Sequence, residues 1–81
     1  MNITVRFFAN LREATGTGQL VLEVPDRADL HTIVEQLIAR YPQLDGQQVM
    51  WHFAVNQTHV EPDTPLRAGD RVAIFPYIAG G

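Results

Sequence analysis

The chain has 81 residues, a formal net charge of −3 and 46% hydrophobic residues, so it holds one domain with one core and little spare volume for an enzyme-sized internal cavity. It contains no Cys, no Ser and no Lys, which excludes disulfides, thiolate metal sites, Ser or Cys nucleophiles and lysine Schiff bases. Its six cationic side chains are the scattered Arg6, Arg12, Arg27, Arg40, Arg67 and Arg71, which form no basic run of the kind nucleic acid requires, whereas an acidic surface suits a basic protein partner.

The opening MNITVRFFANLRE has no long apolar stretch behind a basic region, and no 18-residue apolar run follows anywhere. The expectation is therefore a soluble cytoplasmic protein without signal peptide or membrane span. Residues 2–9 alternate, with Ile3, Val5 and Phe7 on one face and Thr4, Arg6 and Phe8 on the other, which predicts a strand. Residues 13–18 carry Gly16 and Gly18 and are expected to turn the chain. A second strand follows, Leu20, Leu22 and Val24 alternating with Val21 and Glu23, and it forms a hairpin with the first before Pro25 closes it.

Asp29 then supplies a helix N-cap. Leu30, Ile33, Val34, Leu37, Ile38 and Tyr41 recur at three- and four-residue steps and give one apolar stripe. Arg40 suits the negative end of the helix dipole, and Pro42 stops the helix. After a connector at 44–48, residues 49–55 alternate as a third strand, Asn56-Gln57 makes a tight turn, and a short strand lies around 59–61. Residues 62–70 form a loop, and 71–77 a last strand with Val72 and Ile74 on one face and Ala73, Phe75 and Tyr77 on the other. One striped helix covers one face of one sheet, an α+β roll. The expected core is Ile3, Val5, Phe7, Leu30, Ile33, Val34, Leu37, Phe53, Val55, Val72 and Ile74.

That arrangement leaves Phe8, Phe75 and Tyr77 on the sheet's other side. If the first and last strands are neighbours, these rings form an apolar patch rimmed by Arg6 or Arg12, a feature that marks protein contact sites unless loops wrap over it. Immediately beyond lies the tail. The domain is expected over 1–76, with 77–81 an extended, flexible tail ending Gly80-Gly81. The five residues after Pro76 reach about 17 Å when extended. Two glycines without Cβ atoms fit a narrow channel, and the terminal carboxylate is the reactive group at its end. With no Lys, an activated tail finds no ε-amine in its own chain.

Phe7-Phe8-Ala9 with Leu11-Arg12-Glu13, Ala54-Val55-Asn56-Gln57-Thr58, Pro65-Leu66, Gly69-Asp70, Val72-Ala73, Phe75-Pro76 and Gly80-Gly81 resemble, over the full length, the small subunit of molybdopterin synthase, in the ubiquitin-like sulfur-carrier group that also includes the thiazole-synthesis carrier. The resemblance implies a β-grasp fold with a mixed sheet. It implies that Gly81 is adenylated by an E1-like activating enzyme (an adenylyltransferase) that consumes ATP, and is then converted to a thiocarboxylate. It further implies a stable complex with the large synthase subunit, a heterotetramer in which Ile78, Ala79 and Gly80 thread into the partner and the sulfur passes to precursor Z, a cyclic pyranopterin monophosphate. Phe8, Arg12, His59, Phe75 and Tyr77 take the contact role on the same basis, His59 standing where the family often has an apolar residue. Catalytic residues are then expected on the large subunit, with no cofactor bound by this chain.

Other signals are weaker. His52 and His59 could lie diagonally on one hairpin face, but without a third ligand no metal site is assigned. His31 falls in the first helical turn. Gly16-Thr17-Gly18 lacks the third glycine, lysine and following helix of a phosphate loop and reads as turn chemistry. Two other functions stand beside the synthase reading: a sulfur carrier for another pathway such as thiamine thiazole, or a ubiquitin-like binding module with an inert tail.

Overall fold

The computed structural model describes residues 1–76. Strand β1 (Asn2–Phe7) is followed by helix α1 (Ala9–Thr15), β2 (Gln19–Glu23), helix α2 (Leu30–Arg40), β3 (His52–Val55), β4 (Thr58–Val60) and β5 (Arg71–Phe75). The five strands form one sheet in the order β2-β1-β5-β3-β4. β1 and β5 run parallel at its centre, and the other pairings are antiparallel. Together with α2 across one face, this is the β-grasp arrangement expected from the resemblance.

The alternation in β1 and β5 decides which way each side chain goes. Ile3, Val5, Val72 and Ile74 are fully buried, and Phe7 is nearly so. Against them α2 lays Leu30, Ile33 and Leu37, all fully buried, while Val34, Ile38 and Tyr41 pack at the margin. Each such aliphatic side chain contributes about 1.5–3 kcal/mol of burial free energy. Asp29 starts α2 as expected: its carboxylate accepts from the N–H groups of His31 at 3.0 Å and Thr32 at 3.4 Å. Pro42 ends the α-helix and opens a 3-10 turn, Pro42–Leu44, that drops Leu44 into the core.

Of the expected turn at 13–18, residues 16–18 do turn the chain but 13–15 are the end of α1, and β1 stops at Phe7 rather than Ala9. Ala9 takes a left-handed backbone (φ 52°), which breaks the strand period, and Leu11 then plugs the core at 1% exposure. Gly16, also left-handed at φ 76°, closes the helix and donates its N–H to Arg12 O at 3.1 Å. The predicted hairpin therefore exists, with a two-turn helix inside its connection.

The third strand is also shorter than 49–55. Gln48–Met50 forms a 3-10 turn that leaves Val49 and Met50 exposed, and pairing begins at His52. The short strand lies at Thr58–Val60 rather than 59–61, and the described part of the last strand ends at Phe75. Between β3 and β4, Asn56 and Gln57 both have positive φ (50° and 73°), the two-residue hairpin geometry that follows sheet twist. The core is larger than the expected set: Leu11, Leu22, Val24, Ala28, Leu44, Trp51 and Leu66 join it, whereas Val34 and Val55 are only partly buried.

Candidate functional site: the open face of the sheet

Only one face of the sheet is covered by α2. Strand registers arrange the other into rows. Val21, Thr4 and Arg71 share one row, with Asn56 at its end, and Gln19, Arg6, Ala73, Ala54 and His59 share the next. Phe75 and His52 lie side by side in the third. Phe8, the residue after β1, keeps an extended backbone (φ −126°, ψ 156°) and so carries the strand's alternation one position further, onto this same face.

Phe8 and Phe75 stack there, with ring centroids 4.8 Å apart and planes inclined by 17°. The parallel pairing of β1 with β5 is what makes them neighbours. The Arg6 guanidinium carbon lies 5.5 Å from the Phe8 ring centroid, within cation–π range. Both rings are partly buried, each covering a face of the other. Beside them opens a shallow hollow of about 590 Å³, floored by Ala54 and Ala73 and walled by Phe8, Phe75, Arg6, Arg71, Asn56 and Gln57. The small floor residues make the hollow, because a β-carbon alone stands where larger side chains would fill the face.

The hollow's polar end is rigidly built. Asn56 donates its amide to Asp70 Oδ1 at 3.0 Å and accepts from the Arg71 N–H at 3.0 Å. Asp70 Oδ2 accepts from the Arg67 N–H at 2.8 Å. These bonds tie the β3–β4 turn to the segment leading into β5 and fix where Arg71 leaves the strand.

The structure thus brings together Phe8 and Phe75 of the expected contact residues. Arg12 stands on α1 and lines a second, smaller hollow with Phe8, Arg6 and Gln19; its guanidinium lies over Gly18, where an added Cβ would meet Nε at 3.4 Å. His59 is on the same face but on the edge strand β4, and its ring centroid lies 6.0 Å from that of His52. Among the described residues no group of three or more His, Asp or Glu side chains is placed to hold a metal ion. Tyr77, Ile78, Ala79, Gly80 and Gly81 lie outside the described residues, beyond Pro76, which follows directly on Phe75. Arg71 and the Ala54–Ala73 floor were not singled out from sequence. The signal was present in the alternation of Arg71, Ala73 and Phe75 against the buried Val72 and Ile74.

Among the described residues, no helix is long and apolar enough to cross a membrane. Comparison with known proteins agrees with the fold. The ThiS family matches residues 5–81. The molybdopterin synthase sulfur carrier subunit of Chlamydomonas reinhardtii is 39% identical, with 100% of each chain covered. Among solved structures, the HVO 2177 protein of Haloferax volcanii superposes with a TM-score of 0.90 at 30% identity, covering 100% of this chain and 87% of that one. One chain of a complex of subunits 1 and 2 of molybdopterin-converting factor from Helicobacter pylori superposes with a TM-score of 0.71 at 22% identity over 100% of each chain, a likeness of fold. With a family match spanning residues 5–81 and a relative 39% identical from end to end, the chain belongs to the ThiS family.

Proposed function

We propose that this protein is a sulfur carrier and the small subunit of a molybdopterin synthase. The observation that carries the reading is the Phe8–Phe75 stack on an uncovered sheet face, one residue before the Pro76 from which the Gly-Gly tail departs. A partner seated on the stack is within reach of the tail, since five extended residues span about 17 Å. The kinship with synthase sulfur carriers points to the same use, and the converting-factor complex offers the matching kind of partner, a large subunit.

The chemistry follows from the carboxylate. Left alone it is a poor electrophile. An E1-like partner joins the Gly81 carboxylate to the α-phosphoryl group of ATP and releases pyrophosphate. A sulfur donor then displaces AMP, leaving a thiocarboxylate. Its sulfur is the nucleophile that attacks a carbon of precursor Z within the large subunit, a C–S bond replacing a C–O bond there as the oxygen substituent leaves, and hydrolysis of the resulting thioester leaves sulfur on the pterin and returns the Gly81 carboxylate. The absence of Cys and Lys leaves this chain without a thiol or an ε-amine to intercept its own activated end. Residence in the cytoplasm, where these partners act, belongs to the same proposal.

The test is the intact mass of the protein after incubation with its activating enzyme, ATP and a sulfur donor. A carrier gains the difference between one oxygen and one sulfur at Gly81. No gain, where a control carrier converts, leaves only an inert binding module. Transfer to precursor Z in the presence of the large subunit separates the molybdopterin assignment from a carrier for thiazole synthesis.

A further inference from the structure

Charge on the open face is segregated in a way the sulfur-carrier reading does not itself require. The chain is acidic overall, yet Arg6 and Arg71 sit diagonally on the adjacent strands β1 and β5, Arg71 paired with Thr4 and Arg6 with Ala73, near the centre of this face. Together with Thr4 and Gln19 they line a small hollow of about 230 Å³, and both also line the larger one beside Phe8 and Phe75. Both arginines are exposed, and among the described residues no carboxylate lies within ion-pair distance of either. Among the described residues, the acidic side chains near the face stand at its margins, Glu23 at the end of β2 and Glu61 just beyond β4, while Asp70 is engaged by Asn56 and the Arg67 N–H. Two like charges on neighbouring strands, without a counter-charge among the described residues, raise the local positive potential in a chain whose net charge is negative.

We propose that Arg6 and Arg71 are the specificity pair of the docking surface, and that the large subunit seated on the Phe8–Phe75 stack presents an acidic segment whose carboxylates lie opposite these two guanidinium groups. The inference rests on the proposed function for its partner and goes beyond it in naming that partner's chemistry. Continuity supports the choice: the aromatic stack and the arginine pair border one hollow, so a chain that covers the rings also covers the guanidinium groups. Burying two unpaired cations under a neutral or basic surface is unfavourable, whereas a carboxylate accepts two parallel bonds from each guanidinium fork. Apolar contact with the rings then supplies affinity, and the arginines supply orientation and discrimination against carriers' other partners.

The experiment titrates the full-length chain into its purified large subunit by calorimetry at low and high salt, comparing wild type with Arg6→Glu/Arg71→Glu and with the neutral pair Arg6→Gln/Arg71→Gln. Wild-type affinity should fall as salt rises. The charge-reversed pair should bind about 30-fold more weakly at low salt and lose most of the salt dependence, with the neutral pair intermediate. Both positions are exposed, so thermal melts should match wild type, and the neutral pair decides the matter if the reversed one does not fold. Exchanging the opposing carboxylates of the large subunit for arginines should restore binding to the reversed pair.

Unchanged affinity and salt response in both variants overturns the inference. So does tighter binding by the reversed pair, which would mean that the arginines hold the chain's own carboxyl end, or a shift in sedimentation of the isolated chain, which would mean that they meet a second copy. A wild-type chain that forms no complex also overturns it. The intact-mass assay at Gly81 decides separately whether the chain carries sulfur, so the two readings fail independently.

Discussion

Replacing Phe75 with Ala separates a docking ring from a core ring. In the free chain Phe75 lies across β5 from the core, half-buried, with one face covered by Phe8 at 4.8 Å. Removing it forfeits the aromatic pair, about 0.5–1.5 kcal/mol, and a fraction of the area term that full burial of a phenylalanine would carry, about 1.5–3 kcal/mol. Monomer stability should therefore fall by about 2 kcal/mol, short of the 3–5 kcal/mol typical of a core Phe→Ala change. On the large subunit the uncovered part of the ring becomes buried as well, and the loss of affinity should be about 2 kcal/mol, roughly 30-fold in Kd. Urea unfolding reports the first quantity and calorimetric titration with the large subunit the second. Phe8→Ala and the double variant complete a cycle whose coupling should be about 1 kcal/mol in stability if the stack contributes as its geometry indicates. A stability loss of core size with unchanged affinity would refute the argument, because it would mean that the ring's area is already spent inside the monomer.

Gln57→Gly should raise stability by about 0.5–1 kcal/mol in urea unfolding, because Gln57 is held at φ 73° where glycine has no steric penalty. Asp29→Ala removes the acceptor for the His31 and Thr32 N–H groups and should lower stability by about 1 kcal/mol, with partner affinity unchanged because α2 covers the opposite face of the sheet. Leu37→Ala, at a fully buried position on the apolar stripe of α2, should cost about 2–5 kcal/mol and shift the thermal midpoint strongly downward.

The sheet, α2 and the inward faces were legible because each obeys a single period over enough residues. Ile3, Val5 and Phe7 fix one face by alternation alone, and Leu30, Ile33 and Leu37 fix another at helical spacing. Helix α1 was not legible, for a physical reason. It has seven residues and one buried side chain, Leu11, so it carries no stripe to read; its N-cap residue is Phe8, which has no Asx or hydroxyl capping chemistry, and its first residue, Ala9, takes a backbone conformation usually left to glycine. The strand period ran falsely through 49–51 for a related reason: Val49 and Trp51 alternate correctly, but Gln48 Oε1 accepts the Gly46 N–H at 2.7 Å and the chain folds into a 3-10 turn that exposes Val49. At the site, alternation placed Phe8 and Phe75 on one side, and the parallel pairing of β1 with β5, which no local pattern encodes, placed them in contact. Arg71 escaped notice because its meaning depends on Arg6 being its neighbour, a fact of topology.

The same parallel pairing explains why the carrier's stability and its chemistry should be separable. Strand β5 is bonded to β1 on one side and β3 on the other, and its inward residues Val72 and Ile74 have no exposed surface, so the strand that leads to the tail is held on both edges and beneath. Among the described residues the core cluster runs from Ile3 to Ile74. Pro76 has no N–H to extend the ladder, a natural point for pairing to end. Deleting Gly81, or adding one residue after it, should therefore abolish sulfur loading while shifting the thermal midpoint by no more than the small effect of an ordinary surface change, within about 0.5 kcal/mol. Intact mass reads the first and thermal unfolding the second. A deletion that unfolds the domain would show that the carboxyl end holds the fold together, and a site built to be handed from partner to partner cannot do that.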